Sequence, residues 1–80
     1  MKFFWFPENL AHVGRHGLKP EQVEAVFRAG NFSAIEELPG RCVGDGEVDG
    51  RTFRVVFGRP GPGEVFVATA YRISPRRKKT

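Results

Sequence analysis

Hydrophobic and polar residues follow a strand-like pattern most clearly in two runs, Arg51–Gly58 and residues 64–71. Both runs are rich in Phe, Val, Thr and Tyr, which favour a pleated, half-buried surface. The intervening loop, RPGPG at 59–63, cannot continue a strand because its prolines lack amide donors and its glycines favour turns. The pattern therefore predicts an antiparallel hairpin that the rest of the chain must cover.

The first strand of this hairpin has one apolar face. Phe53, Val55 and Phe57 lie on the same side of an extended chain, and Arg54 lies on the other. We expect the three apolar residues to face the core and Arg54 to stand on the opposite face of the sheet.

Two short helices are predicted ahead of the strands. Pro7 suits the first turn of a helix, Leu10 and Val13 share an apolar stripe, and Gly17 can end the helix in the left-handed conformation. A first helix is therefore expected over residues 7–16. The second helix opens at Pro20 and ends before Gly30; its apolar stripe has i, i+3, i+4 spacing and consists of Val23, Val26 and Phe27.

Further extended segments complete the predicted fold. Residues 1–6 contain four successive aromatic residues and are too short for a helix, so they indicate an edge strand or an anchoring arm. Residues 32–38 and Arg41–Val48 are predicted strands, and Asp49-Gly50 is a strong two-residue hairpin signal. The expected fold is α+β, with two N-terminal helices packed on one face of a roughly four-stranded antiparallel sheet.

Composition narrows the class of protein. Eighty residues make one small domain, expected over 1–73, and the net charge of +4 favours a polyanion or an acidic protein as partner. The segment 74–80, SPRRKKT, is a basic tail whose composition is typical of a disordered segment or one that orders on a partner. The single Cys42 fits a reducing compartment, and the apolar start is too short for a signal peptide or a membrane span, so we expect a cytoplasmic protein.

Three sets of residues resemble one known family. The amino-terminal half of BrnT-type toxins is resembled by three motifs in order: Trp5-x-Pro7-x-Asn9, the Arg15-His16-Gly17 step, and PEQVExVF over residues 20–27. Gly44, then Gly50-Arg51 leading into an apolar strand, then Ala70 and a basic tail resemble the second half. The resemblance covers nearly the whole chain.

The resemblance implies a RelE-like fold and the toxin half of a type II toxin–antitoxin pair. Such a toxin is a ribonuclease that stalls translation in a cytoplasmic bacterial or archaeal setting, acts without a cofactor, and is neutralised by a small ribbon-helix-helix antitoxin. A homodimer or a paired toxin–antitoxin assembly is implied as well. The chain departs from the family at Ala70-Tyr71, where Arg72 is displaced by one position, and at Ser74-Pro75, which interrupts the usual charged helix.

Metal-independent cleavage of RNA needs a base for the 2′-hydroxyl, cations for the charge on the phosphorane, and an acid for the leaving oxygen. A histidine can be base or acid near neutral pH, a tyrosine beside cations can be an acid, and arginines bind phosphate. The candidate catalytic residues are His16, Arg51, Arg54, Tyr71 and Arg72. The candidate RNA-binding residues of the tail are Arg76, Arg77, Lys78 and Lys79.

Each candidate also has a structural interpretation. His16 can cap a helix end, Arg51 and Arg54 can solvate a sheet face, and Tyr71 can close a core or an interface. Trp5 and its Phe neighbours are expected to anchor the core, with stacking on bases as the alternative. His12 and His16 have i, i+4 spacing, but no third ligand lies nearby in the sequence, so we predict no metal site.

These observations give one leading function and two alternatives. The leading prediction is a toxin that is a metal-independent endoribonuclease. The first alternative is a catalytically silent, BrnT-like module that binds an acidic protein partner. The second is a nucleic-acid-binding domain that uses its arginines and tail for contacts with the phosphate backbone.

Overall fold

A computed structural model describes residues 1–74 of the chain. These residues form two helices and a five-stranded sheet, in an α+β arrangement. The elements in chain order are β1 (Lys2–Phe4), α1 (Pro7–Arg15), α2 (Pro20–Arg28), β2 (Ser33–Leu38), β3 (Arg41–Val48), β4 (Arg51–Gly58) and β5 (Glu64–Ile73). All of the helices and strands predicted from residue 7 onward are present, with ends within three residues of the predicted ones.

The sheet differs from the predicted one by a strand. Its order is β1-β5-β4-β3-β2, and β1 pairs with β5 in the parallel direction while every other pair is antiparallel. The four predicted antiparallel strands are present as β2 to β5. The segment at residues 1–6, expected as an edge strand or an anchoring arm, supplies a fifth strand at the edge, and its parallel direction differs from the predicted all-antiparallel sheet. The physical reason is that the aromatic segment at residues 1–6 is too short to show a strand period, yet it docks beside β5 and buries part of its rings against the core.

One face of the sheet is buried under both helices, as predicted. Phe53, Val55 and Phe57 of β4 lie in the core, with Phe57 only 1% exposed. Val23, Val26 and Phe27 of α2 pack against them, which confirms the predicted apolar stripe. In α1 the buried stripe is narrower than expected, because Val13 is buried but Leu10 is exposed. We call the other side of the sheet, which the helices leave uncovered, the open face.

The turn between β3 and β4 fixes how these two strands pair. Asp49 has a φ of 54° and Gly50 a φ of 76°, as a two-residue turn of the mirror-image type requires at both positions. Val48 is therefore opposite Arg51, and the register continues to Cys42 opposite Phe57. The predicted Asp-Gly hairpin is confirmed.

Two glycines of β3 allow the helical layer to approach the sheet closely. A β-carbon placed on Gly44 would lie 2.3 Å from the Phe32 ring, and one on Gly46 would lie 2.9 Å from the Val26 carbonyl oxygen. Both distances are shorter than an ordinary van der Waals contact between non-bonded atoms. Glycine is required here for packing, although in the sequence these residues only weaken the strand pattern.

The Trp5-x-Pro7-x-Asn9 segment has a structural role at the corner between β1 and α1. Asn9 is 2% exposed, accepts a hydrogen bond from the Phe6 amide at 2.6 Å, and donates to the carbonyls of Phe4 (2.8 Å) and Val67 (2.9 Å). The Trp5 indole packs against the core and donates to Glu24 at 2.9 Å. The expectation that Trp5 anchors the core is confirmed.

Within residues 1–74, no helix is both long enough and apolar enough to cross a membrane.

Candidate functional site

A β-bulge in β5 decides which side chains of this strand reach the open face. Val56 pairs with Thr69, but the next residue, Phe57, pairs with Val67, so β5 has one extra residue, Ala68. Because side chains alternate between faces, the extra residue exchanges the two faces for the rest of the strand. The core residues of β5 have odd numbers before the bulge and include Ala70 after it.

Tyr71 therefore lies on the open face. It pairs with Arg54 of β4, and Arg54 pairs in turn with Asp45 of β3. Ser33 of β2 is opposite Asp45 and completes a row of polar residues across four strands. The predicted position of Arg54 on the face opposite the core is confirmed.

Asp45 holds the Arg54 side chain in a forked pair. The guanidinium donates from Nε to Asp45 Oδ1 at 2.9 Å and from Nη2 to Asp45 Oδ2 at 3.0 Å. These hydrogen bonds and the attraction of the carboxylate raise the pKa of Arg54 further above its ordinary value, and the neighbouring Tyr71 adds to the rise in pKa. Arg54 is thus a permanent cation. Since both side chains are about 40% exposed, the pair contributes at most about 1 kcal/mol to stability, and its clearer effect is to fix the direction of the guanidinium.

His16 reaches the same end of β5 from the helical layer. It is the C-cap residue of α1, where Gly17 takes a φ of 76° and ends the helix. Its ring centroid lies 5.5 Å from that of Tyr71, with 46° between the ring planes. His16 is exposed, so its ring is open to solvent beside Tyr71. Tyr71 is thus paired with Arg54 on the open face and lies beside the ring of His16, which reaches it from the helical layer. We call these three residues the open-face trio.

The other two candidate catalytic residues lie elsewhere. Arg51 belongs to the helical side of β4 and lines a groove of about 240 Å³ with Glu21 and Asp49. Arg72 is exposed and pairs with Phe53, so it projects on the helical side of β5. Successive side chains of a strand point to opposite faces. Arg51 is three residues from Arg54 and Arg72 is one residue from Tyr71, so both arginines point away from the open face.

The remaining candidates concern the tail and a metal. The predicted RNA-binding residues lie outside the described residues; they are Arg76, Arg77, Lys78 and Lys79. In the described part of the chain, no three His, Cys, Asp or Glu side chains cluster closely enough to hold a metal ion. Cys42 is a free, partly buried thiol packed against the core.

The open-face trio combines the groups that acid–base cleavage of RNA requires. An imidazole can take or give a proton near neutral pH, a phenol can give one, and a guanidinium can bind a phosphate oxygen. Two donors of Arg54 are used by Asp45 and Tyr71 lies beside the guanidinium, which leaves further N–H groups of the fork for a ligand. The arrangement suits a phosphodiester that lies across β5 and β4.

Asp45 was missed as a site residue, although the sequence contains the signal for it. A two-residue turn at Asp49-Gly50 places Val48 opposite Arg51. Counting three residues back along β3 and three forward along β4 then places Asp45 opposite Arg54. A carboxylate directly opposite an arginine predicts the forked pair.

The chain matches no protein-family model, no curated protein and no solved structure at a significant level. The resemblance to BrnT-type toxins therefore stays a prediction, supported only by the residues quoted above.

Proposed function

We propose that this protein is a metal-independent endoribonuclease and the toxin component of a type II toxin–antitoxin pair. The observation that supports the activity best is the position of Tyr71, which is paired with Arg54 on the open face and has its ring 5.5 Å from that of His16. A base or acid, a second proton donor and a fixed cation are then within reach of one phosphodiester. The residues that resemble BrnT-type toxins supply the biological role.

The proposed reaction is attack of a ribose 2′-oxygen on the adjacent phosphorus. His16 takes the proton of the 2′-hydroxyl as the new P–O2′ bond forms, and Arg54 stabilises the added negative charge on the phosphorane. Tyr71 donates its phenolic proton to the 5′-oxygen as the P–O5′ bond breaks. The products are a 2′,3′-cyclic phosphate and a 5′-hydroxyl, and no water, metal or redox partner is consumed.

The finer parts of the proposal follow from the resemblance. We infer a RelE-like arrangement of the helices and sheet, a cytoplasmic setting, and a ribbon-helix-helix antitoxin that covers the site. The basic tail at 76–79 would add attraction for the RNA backbone. A homodimer or a paired toxin–antitoxin assembly belongs to the same inference.

The activity is tested with purified protein, a labelled single-stranded RNA and EDTA. The variants are His16→Ala and Arg54→Ala, with Arg51→Ala as a matched arginine control on the other side of the sheet. We expect a loss of about 100-fold or more in each trio variant, as is usual when an acid–base group or a transition-state cation is removed, and a change of less than about threefold in Arg51→Ala. Equal losses at Arg51 and Arg54 would show that the open face is not the site. Circular dichroism and thermal melting check that each variant is folded.

A second candidate function is supported by the edge of the sheet. All six residues of β2 are exposed, and among the described strands β2 has a neighbour, β3, on one side only. Ile35 is 67% and Leu38 59% exposed, which is unusual for large apolar side chains on an edge strand. These features favour a protein-interaction module that receives a partner strand at β2.

The two candidates differ in what a change at β2 does. If the protein is an interaction module without catalysis, Leu38→Lys should abolish capture of the protein encoded by a neighbouring gene, and wild-type protein should leave RNA intact even with ribosomes present. If it is the proposed ribonuclease, Leu38→Lys should retain cleavage, because Leu38 pairs with Arg41, outside the hollow that Ile35 shares with Asp45 and Arg54.

A further inference from the structure

A chain of aromatic rings lies on the open face, away from the trio. Phe4 and Phe6 are stacked, with centroids 6.4 Å apart and 3° between the ring planes, and Phe6 meets Phe66 at 6.2 Å. Phe6 is 46% and Phe66 37% exposed. The rings of Phe6 and Phe66 therefore contact each other and still present area to solvent. We call these three residues the aromatic strip.

The aromatic strip and the trio share one strand and one face. Phe66 pairs with Gly58, and Tyr71 pairs with Arg54. Gly58 and Arg54 are four residues apart on β4, so both pairs lie on the same side of the sheet. In a regular strand Phe66 and Tyr71, five residues apart, would point to opposite faces. The extra residue at Ala68 brings both to the open face. A ligand that lies along β5 can contact both.

The charges beside the aromatic strip favour an anion. The Lys2 ammonium lies 5.2 Å from the centroid of the Phe4 ring. Arg41 lines a shallow hollow of about 250 Å³ together with Phe66. Glu64 is the strand partner of Lys2, but its carboxylate lies beside Gly61 of the loop. Arg41 has an ion pair with Glu37 at 3.9 Å, in which both side chains are more than half exposed, so the pair is weak and Arg41 can still attract an anion. Exposed rings beside cations match the bases and phosphates of a single-stranded nucleic acid.

We propose that the aromatic strip binds nucleobases of single-stranded RNA and so positions the strand for cleavage at the trio. The substrate class is single-stranded RNA because the bases of a duplex are stacked on one another and cannot lie on Phe66. The proposal rests on the proposed ribonuclease function and adds a binding site to it. Phe6 and Phe66 are positioning residues, since neither is near the atoms that react.

A protein partner is the competing occupant of the same surface, and the charges decide between the two. An apolar protein interface is depleted in charged residues at its core, whereas here the Lys2 ammonium lies over the Phe4 ring and Arg41 lines the same hollow as Phe66. The chain as a whole has a net charge of +4, which gives long-range attraction for a polyanion. We therefore choose RNA and treat protein binding as an outcome that contradicts the proposal.

The test measures binding without cleavage. The probe is a short, fluorescein-labelled single strand of 2′-O-methyl RNA, whose blocked 2′-oxygens cannot attack the phosphorus. Its affinity is measured by fluorescence anisotropy at low salt for wild type, Phe66→Ala, Phe66→Tyr and Leu10→Ala. Leu10 is the matched control because it is an exposed apolar residue, 39% exposed, on α1 and outside the open face.

We expect Phe66→Ala to weaken binding about tenfold, because one base loses its stacking partner. Phe66→Tyr should bind within about twofold of wild type, since a phenol also stacks, and so should Leu10→Ala. Equal affinity of Phe66→Ala and wild type would overturn the proposal, as would absence of RNA binding by wild type. Loss of self-association or of protein capture in Phe66→Ala, with RNA affinity unchanged, would assign the strip to a protein.

Failure of the binding site and failure of the proposed activity give different results. If the 2′-O-methyl strand binds in a Phe66-dependent manner but unmodified RNA is not cut, the aromatic strip stands and the ribonuclease does not. If unmodified RNA is cut equally well by wild type and Phe66→Ala, the ribonuclease stands and the aromatic strip does not. Thermal melting of Phe66→Ala shows whether this variant is still folded. If it is not, Phe6→Ala removes the other exposed ring of the aromatic strip at a position outside the strands. It should weaken binding about as much, and unchanged binding would overturn the proposal.

Discussion

Single residues of the open face are defined by what they touch on neighbouring strands. Arg54 is useful as a cation because Asp45 fixes its direction at 2.9 and 3.0 Å, yet the same carboxylate cancels part of its charge. Asp45 therefore has two opposite effects on Arg54: it orients the guanidinium toward a ligand and it weakens the attraction of the guanidinium for phosphate. The two effects are separable by experiment because one acts on cleavage and the other on binding.

Replacement of Asp45 by Asn separates them. Removing one negative charge beside the phosphate site should tighten binding of the 2′-O-methyl strand about fivefold, since two charges a few ångströms apart at a surface interact by roughly 1 kcal/mol. Cleavage of unmodified RNA should fall at the same time, because Arg54 is no longer held beside Tyr71. Anisotropy and cleavage assays measure the two changes, and Asp49→Asn, in the hairpin turn, is the control for a general effect of charge. Unchanged binding and cleavage would reduce the Asp45–Arg54 pair to an ordinary surface ion pair.

Asn9 should be among the most sensitive residues for stability. Asn9→Ala leaves the Phe6 amide and the carbonyls of Phe4 and Val67 without their partner in a buried setting, and we expect a loss of about 3 kcal/mol. Such a loss lowers the melting temperature by more than about 10 °C in a domain of this size. Asn31→Ala is the matched control: Asn31 bonds the backbone of Glu47 at 2.8 Å but is exposed, so about 1 kcal/mol or less should be lost. A similar melting temperature for both variants would contradict the structural role of Asn9.

At the level of elements, the spacing of β3 from the helical layer depends on the absence of side chains at Gly44 and Gly46. α2 and the segment after it press on this strand more closely than a β-carbon would allow. The open face benefits indirectly, because β3 positions Asp45 between these two glycines. Packing on one side of the strand thereby sets the geometry of the other side.

Gly46→Ala tests this dependence. The added methyl would meet the Val26 carbonyl oxygen at 2.9 Å, and backbone cannot move aside as a flexible side chain can. We expect a loss of about 1 to 3 kcal/mol in urea or thermal unfolding. Gly14→Ala is the opposite control: its β-carbon has no neighbour within 4 Å, and a helix interior gains up to about 1 kcal/mol from Ala. Gly46→Ala with wild-type stability would show that the two layers can separate without cost.

Most of the elements could be predicted from the sequence because their signals are local. Pro7 and Pro20 mark helix starts, Gly17 marks a stop, and Asp49-Gly50 fixes a hairpin. The parallel docking of β1 could not be predicted, because three residues contain no period. The bulge at Ala68 has no local signal either, since Ala68 and Thr69 fit a regular strand equally well.

The candidate site was predicted only in part for the same reason. The apolar residues of β4 predict correctly that Arg54 lies on the face opposite the core. The faces on which Tyr71 and Arg72 lie depend on the bulge, which the sequence does not reveal. Asn9 is a polar residue of a type usually found at the surface. It is buried because, besides the nearby Phe6 and Phe4, it bonds the Val67 carbonyl, 58 residues away in sequence. The role of such a residue depends on tertiary contacts that no local pattern contains.

At the scale of the whole molecule, the helices cover one side of the sheet and leave a side on which polar and aromatic residues are separated along β5. The trio is at one end of this face and the aromatic strip is toward the other. A net charge of +4 favours a polyanionic ligand. In the proposed function the strand of RNA lies along β5, with its bases on the rings and one phosphate at the trio.

The most direct test of this function is the chemistry of the cut ends. Unmodified single-stranded RNA is incubated with the protein in EDTA beside the same RNA with a single 2′-deoxynucleotide at the main cleavage position. We expect 2′,3′-cyclic phosphate and 5′-hydroxyl ends from the first RNA and no cut at that position in the second, because the 2′-oxygen is the attacking group. Intact RNA, also in the presence of ribosomes, or 3′-hydroxyl ends that require a divalent cation would contradict the proposed ribonuclease.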